Sequence, residues 1–146
     1  MALRALGALL LVAGSARAAE TCVAGSADCA PEAARLDLHA LTRAYFEVWN
    51  KHDRAQLQAL HAPRSVLKDW NSEAGPTNKD VAAGVAEIWK AVPTIRIGLL
   101  DVYTSVTNTC VANILVYIDE KTTLKVVDVI DFDSSGRIIS LNAYKV

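Results

Sequence analysis

Leu124-Lys125-Val126-Val127-Asp128-Val129-Ile130-Asp131-Phe132 runs straight into Asp133-Ser134-Ser135-Gly136. The first nine residues are rich in β-branched side chains and the next four in turn formers, so the pair predicts a strand entering a tight turn. Side chains on a strand alternate between faces. Leu124, Val126, Asp128, Ile130 and Phe132 therefore share one face, and Lys125, Val127, Val129, Asp131 and Asp133 share the other. One carboxyl, that of Asp128, stands among four apolar side chains. Because an ionised carboxylate is costly to desolvate, it must find a partner such as Arg96, face a water-filled cavity, or hold its proton. The last two outcomes point to a ligand pocket.

Working outward, the residues before and after this strand keep a period of two. Strands are expected over Thr94 to Tyr103, Thr109 to Asp119, Thr122 to Phe132 and Arg137 to Lys145, joined by short hairpin connections into a meander. Upstream of Pro93 the period is that of a helix. Ala34, Leu38, Leu41, Tyr45 and Val48 recur at three and four, predicting a long amphipathic helix from Pro31 to about Lys51 with Tyr45 on its apolar face. Asp53 caps a second, short helix that carries Leu57 and Leu60 and ends at Pro63. Ser65 to Trp70 reads as a short edge strand and Asn71 to Thr77 as a loop. A third helix starts at Thr77 or Asn78 and carries Val81, Val85, Ile88 and Trp89. Helices first and consecutive strands afterwards predict an α+β domain, with helices on one face of an antiparallel sheet.

At 146 residues the chain fits one domain with a real core. Its net charge is -1 and its lysines and arginines are scattered, which excludes an electrostatic footprint for nucleic acid. Arg4, the apolar run Leu6 to Ala13 and the A-x-A sequence Ala16-Arg17-Ala18 read as a signal peptide over residues 1–18, too short for a membrane span. The reading is of a secreted or periplasmic protein, free of the membrane after cleavage, with an N-terminal segment at 19–34 and a folded domain at 35–146. In an oxidising compartment Cys22 and Cys29 are expected to form a local disulfide, whereas Cys110 alternates with Ala112, Ile114 and Val116 as a small buried hydrophobe. His39, His52 and His61 lack metal-ligand spacing and read as solvated helix-end residues, so no metal is expected. Phosphate-cradling glycine loops and a nucleophile elbow are also missing, and no cofactor is expected.

The order helix, short helix, edge strand, helix and meander, closing on Asp128-Val129-Ile130-Asp131-Phe132-Asp133-Ser134-Ser135-Gly136-Arg137, resembles the nuclear-transport-factor-2-like superfamily. Within it the chain is most similar to the SnoaL-like and ketosteroid-isomerase branch. The resemblance spans about Leu38 to Tyr144. It implies a cone-like domain whose curved antiparallel sheet and three helices enclose a hydrophobic pocket. It also implies cofactor-independent proton transfer on a small hydrophobic carbonyl compound, by an isomerase or cyclase, and a homodimer.

Position by position, the resemblance assigns an oxyanion-hole tyrosine to Tyr45, before Asn50-Lys51-His52-Asp53. It assigns a general base to Asp69 in Val66-Leu67-Lys68-Asp69, and a protonated oxyanion donor to Asp128. Trp70, Trp89, Val126, Ile130 and Phe132 are the expected substrate-binding walls. Trp89 stands where those isomerases carry a supporting tyrosine, and an indole can donate but not accept a hydrogen bond. Two other readings of the same pattern are a non-catalytic domain that binds a small apolar ligand and a dimerisation scaffold. Catalysis needs Tyr45, Asp69 and Asp128 to converge on one cavity.

Overall fold

A computed structural model describes residues 35–146. The expected leader at 1–18, the segment at 19–34 with the expected Cys22–Cys29 disulfide, and the expected helix start at Pro31 lie outside the described residues. Helix α1 spans Leu38–Asn50 and is capped by Asp37, whose carboxylate accepts from the Ala40 amide at 3.0 Å. That cap corrects the expected long helix, because residues 35–37 are not helical and the first turn begins at Leu38. Thr42, Tyr45, Phe46 and Trp49 bury one face of α1. At its far end the Asn50 amide donates to the Ile97 carbonyl (2.8 Å) and accepts from the Ile97 amide (2.7 Å), pinning the helix to a strand.

Helix α2, Arg54–Leu60, is capped by Asp53 and buries Leu57 completely. It stops at Leu60, and the chain passes directly into strand β1, His61–Lys68. Pro63, expected to end the helix, is an exposed residue inside that strand. It falls where the pairing register shifts between His61 and Val66, an irregularity that tolerates a residue with no amide hydrogen. Asp69 and Trp70, expected on the strand, belong to the turn that follows it. A two-residue strand β2, Glu73–Ala74, pairs with β1 inside what read as a loop; two residues carry no periodicity to detect. Helix α3, Asn78–Ala91, opens on a reciprocal capping box between Thr77 and Asp80 and buries Val81, Val85 and Trp89.

Strands β3 (Arg96–Thr104), β4 (Thr109–Tyr117), β5 (Thr123–Phe132) and β6 (Ile138–Lys145) complete a six-stranded curved sheet of order β2-β1-β6-β5-β4-β3. Every pairing is antiparallel except that of β1 with β6, which is parallel. The inward residues of β4 (Cys110, Ala112, Ile114, Val116) and β5 (Val126, Asp128, Ile130, Phe132) are buried in one cluster with the apolar faces of α1 and α3. On the opposite face Asp131 accepts from Thr109 Oγ1 (2.7 Å) and Ser140 Oγ (2.6 Å), tying three strands together. The β5–β6 turn is built on Asp133, which accepts from the Ser135 and Arg137 amides and pairs with the Arg137 guanidinium at 3.0 Å. Gly136 closes it at φ +79°, in the left-handed region.

Candidate active site

A cavity of about 220 Å³ lies between the sheet and the helices. Its walls come from α1 (Tyr45, Trp49), α3 (Val85, Ile88) and the inward positions of β4, β5 and β6 (Ile114, Val116, Val126, Leu141, Ala143). Among the lining residues the only ionisable side chains are Tyr45, Asp69 and Asp128. Tyr45, Asp69 and Asp128, singled out from the sequence, thus share one cavity, and Trp70 and Val126 line it with them.

Asp128 is positioned by the strand alternation that its sequence predicts. Its register neighbours are Ala112 on β4 and Ala143 on β6, and these small side chains leave room beside its carboxyl. The residue is 4% exposed, and Oδ1 has no hydrogen-bond partner. Arg96 does not reach it, since that guanidinium lies 5.6 Å from the centre of the Tyr117 ring. Burial therefore acts uncompensated and pushes the Asp128 carboxyl up to about 7. The Tyr45 hydroxyl is held well above the usual phenol range, first by burial and then by the charge of Asp128. Tyr45 thus keeps a proton that it can donate, and Asp128 does so below about pH 7.

Asp69 sits at the rim in a different environment. Its Oδ1 accepts from the Asn71 and Ser72 amides, each at 2.6 Å, and Oδ2 accepts from Ser72 Oγ at 3.1 Å. The carboxylate is half-buried and holds its own turn together. Trp70 beside it is 43% exposed, forming part of the mouth.

Three expected wall residues lie elsewhere. Ile130 and Phe132 share the face of Asp128 but are absent from the cavity lining. They sit beyond it in the packed end of the domain, where Ile130 is in register with Cys110 and Cys110 Sγ lies 3.0 Å from Thr42 Oγ1. Cys110 itself is fully buried, the role its alternation predicts. Trp89 is drawn away from the cavity by an aromatic stack. It lies parallel to His52 at 5.0 Å and edge-on to Trp49 at 5.7 Å, with its indole nitrogen unpartnered. His52 Nε2 faces the Ile95 carbonyl at 3.1 Å, so this nitrogen carries the hydrogen and donates.

His61 is the residue that sequence reasoning missed. Expected at a solvated helix end, it is 1% exposed on β1. Its ring meets the Tyr45 ring edge-on at 5.8 Å, Nδ1 lies 2.7 Å from Ser65 Oγ, and Nε2 has no partner. Burial pushes the imidazole down to about 4, so it packs against Tyr45 as a neutral ring. The nearby Pro63 was the available signal, as it marks that the chain has already left the helix.

A curved mixed sheet closed on one face by three helices over an apolar cavity is the nuclear-transport-factor-2-like architecture. The sequence model of the SnoaL-like domain matches residues 42–141, and the chain belongs to the SnoaL-like family. No curated protein sequence matches it significantly. Among solved structures it is similar to a cystatin-fold protein from Methylobium petroleophilum PM1, with 16% identity, a TM-score of 0.67 and 75% of each chain covered. It is also similar to a SnoaL-like family isomerase candidate from Agrobacterium tumefaciens C58, at 17% identity and a TM-score of 0.65, covering 76% of this chain and 99% of that one. A nuclear-transport-factor-2-like protein from Cytophaga hutchinsonii gives 8% identity, a TM-score of 0.64, and coverage of 77% and 92%.

Proposed function

We propose that this domain catalyses proton transfer next to the carbonyl of a small hydrophobic compound, as an isomerase or cyclase that needs no cofactor. The reading rests on one observation: Tyr45, Asp128 and Asp69 line the same otherwise apolar cavity, without a cation among its walls. In the proposed reaction Asp69 at the rim is the base that takes the proton from the carbon beside the carbonyl. The electron pair moves onto the carbonyl oxygen, and Tyr45 and the neutral carboxyl of Asp128 donate hydrogen bonds to the resulting enolate. Donors fixed before the charge develops need no reorganisation in the transition state. Of the two Asp69 oxygens, Oδ2 has the longer and single contact, 3.1 Å from Ser72 Oγ, against two amides at 2.6 Å on Oδ1, and is the one assigned to accept the proton. The leader-like residues 1–18 support action outside the cytoplasm.

The test follows exchange of the α-protons of 2-tetralone in D2O by NMR, with 2-naphthol as the oxyanion mimic. Asp69→Asn is expected to abolish enzyme-dependent exchange while the 2-naphthol affinity stays within about twofold. Exchange that survives in the variant would remove Asp69 as base. A second reading, a non-catalytic domain that binds a small apolar ligand, is favoured by the engagement of both Asp69 oxygens in the turn. It predicts binding of 2-naphthol with no exchange in the wild-type protein.

A further inference from the structure

A cavity of about 220 Å³ is small for a ligand site. It exceeds the ~150 Å³ that houses benzene but falls below the roughly 300–1,000 Å³ of pockets that enclose a drug-sized molecule. A bicyclic ring fills it, and anything larger must continue through the mouth. The mouth does not open onto featureless surface. Asp69, Trp70 and Ala143 also line a second groove of about 500 Å³, so cavity and groove share these three residues as walls.

The groove arises from the sheet topology. β1 ends in register at Lys68 opposite Asn142, and the chain then turns away through Asp69 to Ser72. β6 continues to Lys145 with only β5 beside it. The resulting notch exposes one backbone edge of Ala143 to Lys145. Trp70 (43% exposed) and the half-exposed Tyr144 flank it, and Lys68 and Lys145 bring ammonium groups to it.

Two lysines and one aspartate line the groove. The Asp69 carboxylate is occupied by its own turn. Lys68 has Glu73 at 3.7 Å, while Lys145 has no ion pair among the described residues. The cavity, in contrast, has no cationic wall. An apolar chamber that shares walls with a lysine-lined, aromatic-flanked notch suits one kind of molecule. We propose that the ligand is amphipathic: its ring and carbonyl occupy the cavity, while a short methylene tail passes Trp70 and ends in a carboxylate beside Lys145. With Lys68 beside Glu73, Lys145 is the one lining cation left without an ion pair among the described residues, and a monoanion matches it better than a phosphate dianion does. The inference rests on the cavity being a ligand site, as proposed above.

Three probes separate the possibilities: 2-naphthol, the same ring with a butyl tail, and the same ring with a butanoate tail, each titrated against the full chain by fluorescence at low salt. The butanoate probe is expected to bind three- to tenfold tighter than the butyl probe, an advantage that shrinks in 0.5 M NaCl. Lys145→Glu is expected to reverse the order of those two probes while 2-naphthol still binds, which also reports that the variant is folded. Equal affinity of the two tailed probes, or a carboxylate advantage that survives Lys145→Glu, overturns the groove assignment and leaves the cavity reading standing. Failure of all three probes to bind overturns both.

Discussion

Asp128 on β5 and His61 on β1 are both buried in one core, and burial shifts them in opposite directions with opposite consequences for stability. Asp128 rises from 3.8 to about 7. Its contribution is fully present below 3.8 and is lost as pH climbs through 7, because the folded state holds a proton that the unfolded chain releases. His61 falls from 6.5 to about 4. Its contribution is present above 6.5 and is lost as pH drops toward 4, because the unfolded chain takes up a proton that the buried ring refuses. Between pH 4.5 and 6.5 each term amounts to about 2 kcal/mol at 1.36 kcal/mol per pH unit, with opposite sign. The wild-type profile is therefore nearly flat over that window.

Asp128→Asn removes one of the two terms and keeps the shape of the side chain. Its stability is expected to rise by about 2 kcal/mol from pH 4.5 to 6.5, the effect of His61 alone, which is about 1 M in the urea midpoint for a domain of this size. His61→Asn, which keeps a nitrogen near Ser65 Oγ, is expected to fall by a similar amount over the same range. Any fixed cost of placing an amide in the core moves a whole curve without changing its slope. Asp119 and Asp133 are held below the usual carboxylate range by hydrogen bonds within their turns, so their terms fade only toward lower pH. Urea unfolding of the three proteins at pH 4.5, 5.5, 6.5 and 7.5 measures the slopes. Parallel profiles for wild type and Asp128→Asn would refute the argument, since they would mean that Asp128 titrates alike in both states.

The same carboxyl makes ligand binding pH-dependent: affinity for 2-naphthol is expected to fall three- to tenfold between pH 6 and 8.5 as the Asp128 donor loses its proton near 7, and to become flat in Asp128→Asn, both read by fluorescence titration. Gly136→Ala is expected to cost about 1–2 kcal/mol in urea unfolding, because Gly136 has φ +79° and a Cβ would stand 3.1 Å from Leu41 Cδ1. An unchanged midpoint would mean that the β5–β6 turn relaxes freely.

What was legible in the sequence follows from what periodicity can carry. Alternation along β5 assigns Asp128 to the inner face and Asp131 to the outer, and both assignments hold. Capping chemistry locates the starts of α2 and α3 to within a residue, and the turn at Asp133 ends β5 where its composition says. Alternation specifies a face, however, and not a depth along the strand. Val126 and Asp128 border the cavity, whereas Ile130 and Phe132, on the same face one and two steps further, are buried in the core outside it. Helical periodicity has the same limit: it turns Trp89 inward, but the partner it meets there is His52.

The largest departures trace to one long-range feature, the parallel pairing of β1 with β6. His61 lies opposite Ile138, a neighbour that no local pattern names, and that pairing converts a residue expected at a helix end into a buried imidazole against Tyr45. The same pairing ends at Lys68, leaving Asp69 at the mouth and the edge of β6 bare beyond Asn142. One crossover thus sets both the ring that packs behind Tyr45 and the rim that carries Asp69. Two carboxyls of the same residue type acquire different surroundings from it: Asp128 is enclosed between alanines with an unpartnered oxygen, while Asp69 is held by amide donors in its own turn. That division of environments, more than the identity of either residue, is what the proposed proton transfer relies on.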